Sequence, residues 1–332
     1  MKRQTSIRIG SDEAGRPLPD YLAGRFTYRS KKEWQRELAD GRLLLNGKVA
    51  APDTILAAED LLVYRMAELP EPPVDFNYRI LHEDADLLVI DKPAPLPCHP
   101  GGRFFRHTLW ARIRETHGPE TPVFVHRLDR ETSGVVVLAK SREAARRCQE
   151  QFAGQLVEKV YLVLVEGEFL AGETTAAGWL APDQESVIRK KVCYLPEGSS
   201  VPAKAQSCRT TFRLLSRKNG LSLVEARPQS GRCHQIRATL CSLGFPVVGD
   251  KLYGVDEELF LRFMEERLSL EDSRRLRLPR QALHAASLYL RQPTSGTRLS
   301  FTAPLPEIFS EVFSISSLDR PDEIIVRGEP DR

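Results

Sequence analysis

The chain has 332 residues, 41% hydrophobic and 28% charged, with 48 Lys and Arg against 45 Asp and Glu for a formal net charge of +3. That composition excludes wholesale disorder and collagen-like repeats, and the length leaves room for two or three globular domains. The longest apolar run, Val160–Val165, falls far short of the roughly 18 residues a membrane helix needs, and no apolar stretch follows Met1-Lys2-Arg3-Gln4-Thr5. A cytoplasmic protein is therefore expected, with no membrane contact. The cysteines Cys98, Cys148, Cys193, Cys208, Cys233 and Cys241 show no CxxC spacing. They read as reduced thiols, neither a disulfide scaffold nor a zinc clamp.

Residues 7–68 read as a compact opening unit. Ser30-Lys31-Lys32-Glu33 has the form of a capping box, Trp34 and Leu38 follow at helical spacing, and Gly41 can end that helix. Leu43-Leu44-Leu45 then meets Asn46-Gly47, the strongest short hairpin signal, and returns through Lys48-Val49. Leu61–Arg65 supplies a last strand. Between Arg25 and Lys48 stand seven basic residues against three acidic ones. Lys31, Lys32 and Lys48 could clamp a nucleic-acid backbone, or merely keep a small structural domain soluble.

Pro70-Glu71-Pro72-Pro73 reads as a stiff linker within 69–75. One larger domain, 76–310, is expected after it, followed by a polar tail, 311–332. Leu87–Ile90, Val135–Leu138, Val160–Val165 and Leu221–Val224 read as strands. Ser141 can cap a helix bearing Ala144, Cys148 and Phe152 on its apolar side. Ile236, Leu240 and Leu243 make a helical face that stops at Gly244, and Leu259–Leu268 reads as a surface helix. Strands and helices without strict alternation imply an α+β domain with a mixed, mostly antiparallel sheet. A second basic zone, Arg189–Arg237, holds eleven basic residues against two acidic ones and favours a phosphate-binding role.

The densest polar cluster is His126-Arg127-Leu128-Asp129-Arg130-Glu131-Thr132-Ser133-Gly134, directly before a buried strand. On pattern alone it fits a structural salt-bridge loop or a reactive carboxylate, Asp129, kept ionised by a neighbouring guanidinium. His126 and Asp129 could also suggest a metal, but no further ligands are evident.

This cluster resembles the signature loop of the RluA-type pseudouridine synthases. Four further stretches agree in the family's order: Leu81-His82-Glu83-Asp84 with Asp91–Pro100; Lys159–Gly167; Gly231–Arg237 continuing to Pro246–Gly254; and Leu283-His284-Ala285 with Phe301–Pro306. The opening unit resembles the ribosomal-protein S-four-like RNA-binding domain. The resemblance implies an enzyme that flips a uridine out of RNA, detaches its base and rejoins it through a ring carbon, without cofactor or metal. Asp129 matches the catalytic aspartate, Tyr161 the tyrosine that stacks on the base, and Arg237 the arginine that pairs with the aspartate. Arg127 matches the residue that enters the emptied stack. Further RNA contacts are expected from His126, Arg130, His234, Gln235 and the loop Arg189-Lys190-Lys191. His126, with Thr132 and Ser133, is also expected to shape and cap the signature loop. His234 and Gln235 either contact the RNA backbone or support Arg237, and His284 is expected to pack structurally. Ala238-Thr239 and Ser230 depart from the commoner valine-histidine and threonine of the arginine motif, which leaves the branch open. Large-subunit ribosomal RNA is the first expectation for the target and transfer RNA the second, with a monomeric enzyme. The competing readings are a non-catalytic ribosome-assembly factor on the same fold and a hydrolase or metal enzyme using His126 and Asp129.

Overall fold

The computed structural model describes residues 4–26, 29–67, 70–118 and 122–312. The chain divides between Pro72 and Pro73 into two compact units. Most of the tail expected from residue 311 lies outside the described residues.

In the first unit the chain runs β1 (Gln4–Arg8), α1 (Leu18–Arg25), α2 (Lys31–Ala39), β2 (Leu43–Leu45), β3 (Lys48–Val49) and β4 (Leu61–Arg65), and the sheet order is β1-β4-β2-β3. Both halves of the Ser30–Glu33 capping box form at the start of α2. Asn46 and Gly47 both take positive φ, 50° and 83°, as a tight primed turn requires. The Asn46 side chain accepts from the Leu61 N–H and donates to Asp60, tying the hairpin to β4. Leu18, Tyr21 and Leu22 of α1 and Trp34 and Leu38 of α2 pack over Leu43, Leu62 and Tyr64. Buried Glu37 accepts from the Tyr64 hydroxyl and pairs with Arg29 and Arg42.

The second unit is built on one sheet. Its elements are β5 (Arg79–Glu83), β6 (Leu87–Lys92), α3 (Leu109–His117), β7 (Val123–Phe124), β8 (Ser133–Ala139), α4 (Arg142–Ala153), β9 (Glu158–Glu166), β10 (Glu173–Pro182), β11 (Val192–Pro196), β12 (Gln206–Lys218) and β13 (Leu221–Pro228). There follow α5 (Gln235–Ser242), α6 (Glu258–Met264), α7 (Leu270–Leu276), β14 (Leu283–Arg291), β15 (Arg298–Thr302) and α8 (Glu307–Val312). The strand order is β11-β10-β12-β13-β9-β14-β8-β6-β5, with β15 on β14 and β7 on β8. The sheet is antiparallel except where β14 runs parallel to β8, pairing His284 with Ser133 and Ala285 with Gly134.

All seven residues of β8 are buried because helices cover both sheet faces. Val135 and Val137 pack with Ala144 and Cys148 of α4, while Val136 and Leu138 pack with Leu109 and Ile113 of α3. Ser141 caps α4 by accepting from the Ala144 N–H. The helix expected over Leu259–Leu268 is shorter, ending at Met264. A second helix, α7, follows it behind its own capping box, Ser269 with Asp272.

Candidate active site

The loop between β7 and β8 is pinned from both sides. The Lys92 ammonium, fully buried at the end of β6, donates to the carbonyls of Pro93, Leu96 and Arg130. Burial pulls its pKa down to about 8. The Leu96 N–H also donates to the Arg130 carbonyl, at 2.8 Å. From the other side Gln281 donates to Thr132 Oγ1 at 2.7 Å, and His284 Nδ1 lies 3.0 Å from Ser133 Oγ. Gly134 takes φ +111°, and a Cβ there would stand 2.1 Å from the Ala285 carbonyl oxygen, so only glycine lets β8 and β14 close at this point.

That scaffold holds Asp129 at the floor of a cleft, its side chain 35% exposed, against a buried Arg237 on α5. Arg237 NH1 donates to Asp129 Oδ2 at 2.8 Å. Its Nε and NH2 donate to the two oxygens of Asp250 at 2.6 and 2.8 Å. Asp250 is itself fully enclosed and accepts from the N–H groups of Leu252 and Tyr253. The guanidinium is therefore an oriented bridge, fixed by one carboxylate and presented to another. Burial alone would raise both aspartate pKa values, but Arg237 outweighs it and holds both below the usual carboxylate range. Asp129 is thus an anion with one oxygen, Oδ2, committed to Arg237.

Two cavities meet at this carboxylate. One, of about 90 Å³, is lined by Arg127, Asp129, Tyr161, Ser230, His234 and Arg237. Tyr161, in the middle of β9, keeps its proton because burial and the Asp129 charge both push its pKa up. A flat ring beside an anionic carboxylate suits a pyrimidine lifted out of a strand. The other cavity, of about 140 Å³, is walled by Phe260 and Phe263 of α6 together with Lys190, Arg130 and Lys251. The helix expected to lie on the surface thus turns two phenylalanines to the cleft. Lys190 sits 4.1 Å over the Phe260 ring, and Lys251 and Arg130 lie over Phe263.

The residues expected to contact RNA divide into two groups. Arg127 is exposed at the rim beside Tyr161, and Arg189 is exposed on its loop. Lys32 and Lys48 are exposed on α2 and β3 of the first unit. Lys190 is exposed too, over the Phe260 ring, and the remaining residues have partners within the protein. His126 turns inward: its Nε2 accepts from the Val137 N–H, its ring stacks on Phe152, and burial pulls its pKa down to about 3, so it is neutral scaffolding. Gln235 uses both ends of its amide, accepting from Ser230 and Arg232 and donating to Arg209 and Thr210. Lys191 pairs with Glu257 and Asp183, Lys31 with Asp20, and Arg130 with Glu131. The second basic zone is correspondingly dispersed, since Arg213 and Arg227 both neutralise Glu225 and Arg217 binds the Phe169 carbonyl.

Asp250, Lys92, Gln281 and the Lys251–Glu131 pair were not singled out by sequence reasoning. Asp250 and Lys251 lie inside a quoted motif, and a charged pair directly behind a glycine was the available signal. Among the described residues no group of three or more His, Cys, Asp or Glu side chains is placed to hold a metal ion, and no helix is long and apolar enough to cross a membrane.

Residues 86–242 match the family model described as RNA pseudouridylate synthase. A protein of Chlorobaculum parvum described as an uncharacterized RNA pseudouridine synthase is 33% identical over 92% of this chain and 93% of its own length. A ribosomal large subunit pseudouridine synthase D of Xanthomonas campestris is 33% identical over 92% of this chain and 90% of its own. Among solved structures, human RNA pseudouridylate synthase domain containing 4 superposes with a TM-score of 0.55 at 28% identity, covering 71% of this chain and 91% of that one. With its fold, its five motifs in order and these relatives, the chain belongs to the RluA-type RNA pseudouridine synthases.

Proposed function

We propose that this enzyme isomerises a uridine of large-subunit ribosomal RNA, with Asp129 as the catalytic carboxylate, Tyr161 as the platform for the extruded base and Arg237 as the group that keeps Asp129 charged. The observation that carries the reading is the Asp250–Arg237–Asp129 bridge, opening on a cavity that Tyr161 shares. The N1–C1′ bond of the uridine breaks, the uracil turns over the Tyr161 ring, and a C5–C1′ bond forms while the C5 proton is exchanged for one on N1. Nothing is added or lost. An anionic carboxylate in a cleft with a fixed guanidinium behind it suits a step in which positive charge develops at the sugar carbon. Arg127, exposed at the rim, fills the gap left in the stack in this reading and recovers part of the few kcal/mol that extrusion costs.

The choice of ribosomal RNA is supported by the Xanthomonas campestris relative, which matches through both units. The exposed Lys32 and Lys48 give the first unit, read as an RNA-binding domain, two cations for a phosphate backbone. The test is Asp129→Asn, assayed with ribosomal and transfer RNA transcripts. Isomerisation should vanish while RNA affinity stays within a few fold. Pseudouridine formed by a pure Asp129→Asn preparation would remove Asp129 from the chemistry, and a wild-type preference for transfer RNA would reassign the target.

A further inference from the structure

Arg237 commits Oδ2 of Asp129 and leaves Oδ1 facing a histidine, with the Gln281 side chain also against the carboxylate. His234 Nε2 stands 4.0 Å from Oδ1, and His234 lines both cavities. Its other nitrogen, Nδ1, lies 3.0 Å from the Tyr253 hydroxyl. That hydroxyl already accepts from the Val192 N–H at 3.0 Å. A phenol has one proton to give, and burial pushes the Tyr253 pKa up, so the proton stays on oxygen. Nδ1 lies within reach of that proton, and the pairing makes Nδ1 the acceptor. The ring proton of neutral His234 then sits on Nε2, directed at Asp129. Burial and Arg237 hold the His234 pKa down to about 4, so the neutral form prevails at pH 7.

The backbone gives a second, independent sign. His234 adopts φ 55°, ψ 20°, the left-handed region that favours glycine, at the N-terminal boundary of α5. A side chain kept at such a position against the steric preference points to a use for that side chain.

We propose that His234 is a positioning residue for Asp129: locked by Tyr253 as the Nε2–H tautomer, it directs a hydrogen-bond donor at Oδ1, the oxygen Arg237 leaves free. The proposal rests on Asp129 being the catalytic carboxylate. At 4.0 Å the contact is longer than a hydrogen bond; a movement of roughly 1 Å brings it to hydrogen-bond length, as substrate binding commonly does for catalytic contacts. The carboxylate is then held at both oxygens and cannot rotate away from the sugar.

Two measurements decide it. In RNA-free wild-type protein labelled with ¹⁵N-histidine, with His234 assigned by its loss in His234→Gln, Nδ1 should resonate as an unprotonated nitrogen and Nε2 as a protonated one. Single-turnover assays should then separate two side chains of opposite reach. Glutamine places an amide N–H near the Nε2 position but cannot accept from Tyr253. Asparagine can accept from Tyr253 but cannot reach Asp129. His234→Gln should retain the rate within about fivefold, and His234→Asn should lose about 100-fold with RNA affinity unchanged, the scale of a misplaced catalytic group. A protonated Nδ1, or His234→Asn performing as well as or better than His234→Gln, would overturn the assignment. Because the tautomer is read without substrate, its failure is separable from failure of the Asp129 reading, which only Asp129→Asn addresses.

Discussion

Replacing Asp250 with Asn probes the bridge on which the site is built. The asparagine carbonyl can still accept from Leu252 and Tyr253, so the local turn survives. What is lost is one negative charge facing a guanidinium whose side chain is only 8% exposed, from a position that is 0% exposed. Two unit charges about 4 Å apart interact by about 4 kcal/mol at an effective dielectric near 20. Breaking a buried pair by removing one partner costs about 3–5 kcal/mol, because the survivor stays desolvated. At roughly 2–4 °C per kcal/mol for a unit of this size, the melting temperature should fall by about 10 °C. Arg237, relieved of its anchor, should also lose its aim at Asp129, and the single-turnover rate should drop about 100-fold. Calorimetry and single-turnover assays read the two effects. In Arg237→Met/Asp250→Asn the stability losses should be clearly less than additive. The wild type carries an acid dependence of fixed sign. The Asp250 pKa is depressed in the fold, so its contribution is complete above the unfolded value of about 3.9 and disappears as the pH falls through the folded value. That component should be missing in Asp250→Asn. A variant within about 1 kcal/mol of wild type, with an unchanged rate, would refute the claim that Asp250 orients Arg237.

Gly134→Ala would put a methyl carbon 2.1 Å from the Ala285 carbonyl at φ +111°, so it should cost about 3 kcal/mol or more and prevent β8 from closing on β14. A soluble variant melting like wild type would contradict that packing. Lys32→Ala/Lys48→Ala should reduce the slope of log affinity against log salt for long RNA by between about one and two, since each phosphate contact contributes about 0.7–0.9. A slope identical to wild type would mean that these two lysines do not meet the backbone.

Local signals in the sequence were easy to read because their physics is local. The Ser30 and Ser141 caps, the Asn46-Gly47 turn and the apolar runs that became β8 and β9 need only a few neighbouring residues to be recognised. Charge was harder. The basic zone from Arg189 to Arg237 looked like a phosphate surface because its acidic partners lie elsewhere: Glu257 for Lys191, and Asp250 and Asp129 for Arg237. Counting charges along a segment cannot see carboxylates delivered by other elements. The inward partners of His126 were hidden for a related reason, since only the fold reveals that its ring accepts from β8 and stacks on α4. β12 was missed although Cys208, Thr210 and Phe212 alternate inward along it, a period-two pattern diluted by Arg209, Thr211 and Arg213 on its other face. Asp129, Tyr161 and Arg237 were legible as a set through the family motifs, whereas their support by Lys92, Asp250 and Gln281 came only from the structure.

The parallel pairing of β14 with β8 has a bearing on biosynthesis. β14 lies between β9 and β8, yet its residues, 283–291, are among the last of the large unit to leave the ribosome. Until they emerge, the early strands β5, β6 and β8 and the later group from β9 to β13 share no strand that joins them. Thr132, Ser133 and Gly134 likewise wait for Gln281, His284 and Ala285. Such distant pairings close slowly and late. A nascent chain halted before residue 280 would carry the signature loop with its Lys92 and Arg237 contacts but without Gln281, His284 and Ala285, so competence to modify RNA should switch on only after β14 has emerged.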